Sequence, residues 1–222
     1  MNGKFITFEG GEGTGKSTQA AALAEHLRSL GLAVLLTREP GGSPGAEIIR
    51  HVLLSGAAKP LGPEAEALLF AAARDDHIQC TILPALKAGT WVVCDRFADS
   101  TRVYQGVLGE VDERLITALE RVCVGDLRPD LTFVLDVPVA LGLKRAAGRR
   151  GPQKADRFEA ENFDFHQKLR KAYLALAATE PKRFVVIDAS APKKMVAKRI
   201  WQAVSRRFEL PRAPAALHNV AS

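Results

Sequence analysis

Cysteine is scarce in this chain. Cys80, Cys94 and Cys123 are the only three, widely spaced and odd in number. That excludes a framework of disulfide staples, offers no zinc-site spacing, and suits a reducing cytosol. Cys94 follows Trp91-Val92-Val93 and reads as a small buried hydrophobe in a strand. No uninterrupted apolar run approaches the ~20 residues that a bilayer-spanning helix needs. No signal segment is expected, because the first strand-like run begins at Lys4. Aromatic residues make up only 6% of the chain. The basic clusters at 144–157 and 193–207 therefore lack the aromatic interleaving that single-strand binders use for stacking. Despite a formal charge of +6, neither nucleic acid nor a membrane is an expected partner. Internal repeats are absent. What remains is a cytoplasmic globular protein whose 222 residues, 47% hydrophobic, can bury one good core.

Strand-like runs stand at 4–8, 33–37, 91–94, 131–137 and 184–187, several of them continuous in Val, Leu and Phe. Such runs suit strands covered on both faces. Helical patterns fill the intervals near 17–30, 45–54, 63–87, 113–122, 139–147, 159–178 and 192–208. Alternating elements of this kind predict a three-layer α/β fold, a five-stranded parallel sheet with helices on both faces. One domain is expected over 1–210, followed by a disordered tail over 211–222 that carries two prolines. The cluster at 193–207 reads as the solvated face of an amphipathic helix, with Val196, Ile200, Val204 and Phe208 on its other side.

Between the first strand and the first helix stands Gly10-Gly11-Glu12-Gly13-Thr14-Gly15-Lys16-Ser17, which fits G-x-x-x-x-G-K-[ST]. Strand, glycine loop and helix in this order are the context of a phosphate-binding loop. The glycines let backbone N–H groups face phosphate oxygens, and the helix directs its positive end at the same anion. Thr18 continues that first turn. Lys16 is expected to reach the β- and γ-phosphates and Ser17 to ligate Mg²⁺. The chain is expected to bind a nucleoside triphosphate.

In parallel sheets ligands bind beyond the carboxyl ends of the strands, and polar residues cluster there. Asp95-Arg96 ends the third strand, a carboxylate placed to hold Mg²⁺ through water beside a bidentate phosphate donor. Asp136 also ends an apolar strand but has no basic neighbour in sequence. Arg38-Glu39-Pro40-Gly41-Gly42 ends the second strand; a turn explains Pro-Gly-Gly but not the charged pair, which points to substrate. Phe70 and Arg74 lie four apart on one helical face, and spacing alone puts Phe70 in the core and Arg74 in solvent. The stretch 144–157 has glycine, proline and basic residues between two helices, the composition of a mobile lid over about 146–158. The phosphate loop itself carries Glu12 and Gly13 and no arginine. Phosphoryl transfer needs positive charge on the moving group, so Arg149 or Arg150 is expected to supply it.

Over nearly its whole length the chain resembles the bacterial thymidylate kinases. The resemblance rests on Phe8-Glu9-Gly10 with the phosphate loop, Thr37 to Gly42, and Leu69 to Arg74. It continues through Asp95-Arg96-Phe97, Ser100-Thr101 with Tyr104-Gln105-Gly106, Arg128 to Thr132, Leu135-Asp136-Val137 and Asp156 to Glu159. It implies the reaction ATP + dTMP → ADP + dTDP with Mg²⁺, in dTTP biosynthesis, by a homodimer. By the same likeness Phe70 stacks on thymine, Arg74 bonds its edge, and Ser100, Thr101 and Gln105 line the nucleoside pocket. Tyr104 sits near the sugar and disfavours a 2′-hydroxyl. Arg38 and Arg96 hold the acceptor phosphate, with Glu39 beside them, and Arg145 joins the ATP contacts. Glu12 is a further candidate metal ligand. Glu12-Gly13 with an arginine-rich lid resembles the class that supplies its arginine from the lid. The stretch 148–155 is longer than the usual lid, which keeps both Arg149 and Arg150 in view. Rival readings are another small kinase of this fold and a nucleotide switch such as a GTPase. The switch lacks its guanine-reading Asn-Lys-x-Asp motif here.

Overall fold

The first strand, β1 (Phe5–Glu9), is buried along its whole length and becomes the centre of the sheet. It feeds α1 (Lys16–Ser29), then β2 (Val34–Arg38), α2 (Pro44–Ser55) and α3 (Pro63–His77). α4 (Leu83–Lys87), β3 (Trp91–Asp95), α5 (Ala98–Thr101) and α6 (Glu113–Cys123) follow. The chain ends through β4 (Leu131–Asp136), α7 (Val139–Arg150), α8 (Phe163–Thr179), β5 (Phe184–Asp188) and α9 (Lys193–Arg207). The computed structural model describes residues 3–150 and 157–211, with Arg150 described in backbone only. Residues 151–156, inside the expected lid, and 212–222 of the expected tail lie outside the described residues.

All strand pairs are parallel, in the order β2-β3-β1-β4-β5. Alternation along β1 sends Ile6 and Phe8 to one face and Phe5 to the other. Ile6 and Phe8 pack with Leu23 and Leu27 of α1 and with Val196, Ile200 and Val204 of α9. Phe5 packs with Ile78, Ile82 and Leu86, while Leu169 and Tyr173 of α8 cover Val134 and Phe184. Three layers result, as the alternation of elements predicts. Burying Phe8 against Phe133, ring centres 5.2 Å apart, contributes about 2–3 kcal/mol per side chain relative to exposure.

Several boundaries depart from the sequence expectation. The helix expected over 63–87 is divided by a π-helical turn at Ile78–Ile82, just before Pro84, which has no N–H to donate. The helix expected from 159 starts instead at Phe163, where the Asn162 side chain accepts from the Phe165 N–H at 2.8 Å and caps it. The lid expected from about 146 is helical through Arg150, because Ala146, Ala147 and the arginines are good helix formers and outweigh Gly148. No helical pattern is read over 98–108, yet it forms α5 and a second π-helical turn, Arg102–Leu108. Its Asp, Ser, Thr, Val and Gly residues give little propensity of their own, and tertiary contacts decide it.

Candidate active site

The carboxyl ends of β1, β2 and β3 are level, with Phe8 and Arg38 both opposite Asp95. The chain leaves β1 through Gly10 at φ 132°, where a Cβ would meet the Leu135 carbonyl oxygen at 2.5 Å. Gly13, at φ 66°, lies so close to α7 that a Cβ there would fall on the Gly142 carbonyl. The loop must be glycine at both points. Thr14 closes it by donating to the Gly11 carbonyl at 3.0 Å, and α1 starts at Lys16 behind a left-handed Gly15. Lys16 Nζ donates to the carbonyls of Gly10 (3.0 Å) and Gly11 (2.7 Å). Burial, and then the neighbouring Arg96, pull the Lys16 ammonium down to about 8.

Ser17 Oγ donates to Asp95 Oδ2, while Asp95 Oδ1 is buried without a partner. A hard divalent cation favours oxygen ligands of this kind, a hydroxyl and a carboxylate oxygen that nothing else satisfies. The pair therefore fits Mg²⁺. Among the described residues no cluster of three or more His, Cys, Asp or Glu side chains stands ready for a metal.

Arg96 holds a left-handed backbone, φ 71°, which a non-glycine residue adopts at a cost. Its guanidinium donates to Glu12 Oε1 (2.7 Å), Tyr173 Oη (3.2 Å) and the Gly10 carbonyl (3.3 Å), and lies 5.2 Å from the Tyr104 ring centre. Burial opposes the charge on Glu12, but Arg96, Lys16 and Arg149 outweigh it and hold the carboxyl below its ordinary range. Glu9 behaves oppositely. It accepts from Phe97 N (2.8 Å), Ser100 Oγ (2.7 Å) and Tyr173 Oη (2.9 Å), yet burial, with Asp99 nearby, raises it to about 7.

A cleft of about 320 Å³ opens beside the phosphate loop. Glu12, Lys16, Ser17 and Asp95 line it from the phosphate-loop side, and Arg96 lines it just after β3. Arg38, Glu39, Phe70 and Arg74 line it from the β2 and α3 side, and Ser100, Thr101, Tyr104 and Gln105 from the segment after β3. Arg74 is not in solvent, as spacing alone predicts, but 5% exposed, its Nε donating to Glu39 Oε2 at 2.8 Å. Its Nη2 donates to Thr101 Oγ1 (3.1 Å) and the Phe97 carbonyl (3.3 Å). Phe70 is half-buried and faces the cleft instead of filling the core. Arg38 donates to Glu47 Oε1 at 2.9 Å and remains about half exposed.

Arg149 reaches the cleft from the last turn of α7 and donates to Glu159 Oε1 at 2.6 Å. Phe158 stands edge-on to the Tyr104 ring at 5.2 Å and 6.3 Å from Phe70. Arg145 points elsewhere, donating to the carbonyls of Ala189 (2.8 Å) and Ser190 (2.9 Å) after β5. Thr18 is exposed on the first turn of α1. Gly10, Gly11, Thr14 and Asp136 line a smaller cavity behind the loop, where Arg170 grips Asp136 through two bonds of 2.6 and 2.8 Å. Asp136 thus has a basic partner that its sequence neighbours do not supply.

Four residues of this region escape sequence reasoning. Glu9 carried a signal, a carboxylate ending an apolar strand, the same one that singles out Asp95. Tyr173 and His77 lie in helices far along the chain and carried none. Phe158 sits in the resembling stretch 156–159, and its sequence context points to no role.

The family model described as thymidylate kinase matches residues 8–200. The thymidylate kinase of Bradyrhizobium diazoefficiens is 61% identical over 218 residues, 98% of this chain and 95% of the relative. That of Nitrobacter winogradskyi is 63% identical over 207 residues, 93% of this chain and 90% of the relative. Among solved structures, thymidylate kinase from Ehrlichia chaffeensis superposes with a TM-score of 0.74 at 32% identity, covering 91% of this chain and 98% of that one.

Proposed function

The chain belongs to the thymidylate kinase family, and we propose that its cleft carries out ATP + dTMP → ADP + dTDP with one wall for each substrate. The observation that carries this reading is a single cleft shared by Lys16, Ser17 and Asp95 on one side and Phe70, Arg74 and Arg96 on the other. The phosphate loop, with Lys16 and the first turn of α1 including Thr18, holds the ATP phosphates. Phe70 stacks on thymine, Arg74 bonds its edge, and Thr101 and Gln105 close the nucleoside pocket. Arg38 and Arg96 hold the acceptor monophosphate, which is already an anionic nucleophile at neutral pH. No strong general base is required. Catalysis is alignment and charge neutralisation.

Ser17, and Asp95 through water, would hold Mg²⁺, which when bound neutralises phosphate charge. Glu12, a third candidate ligand, is already engaged by Arg96. Arg149 or Arg150 supplies the positive charge that this phosphate loop lacks, and closure of the segment they introduce excludes water that would waste ATP. Arg145, held by the loop after β5, joins the ATP contacts.

The same reading places the enzyme in the cytoplasm, where both nucleotides are available, with no nucleic-acid or membrane partner. No described helix is long and apolar enough to cross a membrane. It also makes the chain a homodimer. The support is on α2 and α3, where Ile48, Val52 and Leu68 remain 70, 39 and 51% exposed. Size-exclusion chromatography with light scattering tests that part.

The function itself is tested by coupled ADP release with dTMP, dUMP, UMP, CMP, AMP and GMP in turn. Strong acceleration by dTMP is expected. No acceleration by dTMP over basal ATP hydrolysis overturns the reading.

A further inference from the structure

His77 ends α3 and is completely buried, yet both ring nitrogens are bonded. Nδ1 meets Glu39 Oε1 at 3.1 Å and Nε2 meets Thr37 Oγ1 at 2.7 Å. A carboxylate can only accept, so Nδ1 carries the proton; in the neutral ring Nε2 then accepts from the Thr37 hydroxyl. The other oxygen of Glu39 takes Arg74 Nε at 2.8 Å, and Arg74 Nη2 continues to Thr101. Nη1 has no hydrogen bond to a described residue, while Arg74 lines the cleft. The loop after β2 rests on the same ring, since a Cβ on Gly42 would collide with His77 Nε2 and Thr37 Oγ1.

We propose that His77 is a positioning residue for the acceptor nucleotide, holding the Glu39 carboxylate so that Arg74 presents its remaining nitrogen to the base. The inference rests on the dTMP-pocket reading above. Without the Nδ1 donor, Glu39 Oε1 is left buried with an unmet acceptor and the carboxylate rotates toward whatever donor remains. Arg74 is tied to Glu39 and turns with it. The phosphate loop takes no part in this chain of bonds, so ATP binding and the transfer step are spared.

Two amide substitutions separate this role from simple packing. In His77→Asn the amide nitrogen replaces Nδ1 and can still donate to Glu39. In His77→Gln it replaces Nε2 and faces Thr37 instead. Loss of a hydrogen bond to a charged group corresponds to about 10- to 100-fold in affinity. His77→Gln should therefore raise the KM for dTMP by about that factor. His77→Asn should stay within about threefold of wild type, and both should leave kcat and the KM for ATP nearly unchanged. Equal effects of the two amides, or parallel changes in kcat and the KM for ATP, overturn the proposal. Arg74→Gln, assayed alongside, keeps the two claims apart. If it leaves the dTMP KM unchanged, the pocket reading fails; if it raises that KM while His77→Gln does not, only the positioning role fails.

Discussion

Glu12 of the phosphate loop and Arg96 at the end of β3, 84 residues apart in sequence, meet at 2.7 Å in a pair that is 12 and 17% exposed. The pair ties the triphosphate wall of the cleft to the acceptor wall. Burial opposes the charge on Arg96, but Tyr104, Tyr173, Glu12 and Glu9 face it and outweigh burial, so its guanidinium is held well above its ordinary range. Removing one partner of a buried pair leaves the other uncompensated, at about 3–5 kcal/mol. Here the Gly10 carbonyl and Tyr173 Oη still accept from Arg96. Glu12→Ala should therefore destabilise the fold by only about 2 kcal/mol, less than the isolated-pair figure. Urea denaturation measures it, and a loss that reaches the isolated-pair figure would mean that those acceptors do not compensate.

Glu9 predicts a pH dependence of stability of unusual sign for a carboxylate. Its folded value, about 7, lies above the unfolded 4.5. Between these values the native state binds more protons than the unfolded chain, so the Glu9 contribution falls as pH rises through the window. At 1.36 kcal/mol per unit the whole effect is about 3 kcal/mol. Glu9→Gln cannot ionise. Its unfolding free energy relative to wild type should therefore rise by about that amount between pH 4.5 and 7.5. A difference that stays flat across the window would show that Glu9 ionises normally.

The strands were legible because buried parallel strands are written as continuous apolar runs, and 91–94 or 184–187 admit little else. The cleft was legible where a charged residue ends such a run, as Arg38, Glu39, Asp95 and Arg96 do. Contacts made across the fold left no local trace. Nothing near His77 announces Glu39, and nothing near Tyr173 announces Glu9. Arg74 shows the limit of helical spacing: four residues from Phe70 fixes the shared face, but only the packing of α3 beside Glu39 and Thr101 decides that the face is buried. The helix expected to end at 147 runs on to Arg150, because composition cannot say how far α7 persists through Ala147 and Gly148.

Phe70 tests the base side of the cleft. It is half-buried beside Arg74, so truncating it opens the cleft without emptying a core site. Stacking of a base on an aromatic ring is worth about 1–3 kcal/mol by alanine substitution. Phe70→Ala should raise the KM for dTMP by roughly 5- to 150-fold and leave the KM for ATP unchanged. Steady-state kinetics in each substrate measures this, and a loss shared equally by both substrates would remove Phe70 from the base site.

Tyr104 tests sugar discrimination. It is 9% exposed, its hydroxyl donates to Glu12 Oε1 at 3.4 Å, and burial is the main reason its phenol titrates above the ordinary range. The hydroxyl therefore stays protonated and fixed at physiological pH. Tyr104→Phe removes that anchor while keeping the ring, and should narrow the preference for dTMP over ribothymidylate. The ratio of the two kcat/KM values is the measurement, and an unchanged ratio would assign the preference to other groups.

Arg149 is the remaining decision, because the phosphate loop has Glu12 and Gly13 where a guanidinium would otherwise stand. It reaches the cleft from the last turn of α7, is 62% exposed, and pairs with a Glu159 carboxylate that is only 7% exposed. An arginine so placed, its own head exposed, can exchange the Glu159 carboxylate for a phosphate, one charge-assisted oxyanion contact for another. If it meets charge that develops only in the transition state, its loss lowers kcat and leaves ground-state binding alone. Arg149→Ala or Arg150→Ala should reduce kcat by about 10³-fold or more with a dTMP KM close to wild type. Single-turnover rates separate chemistry from product release. Whichever single variant carries the loss identifies the arginine, and wild-type turnover in both singles and in the double variant would mean that the charge comes from elsewhere in the chain.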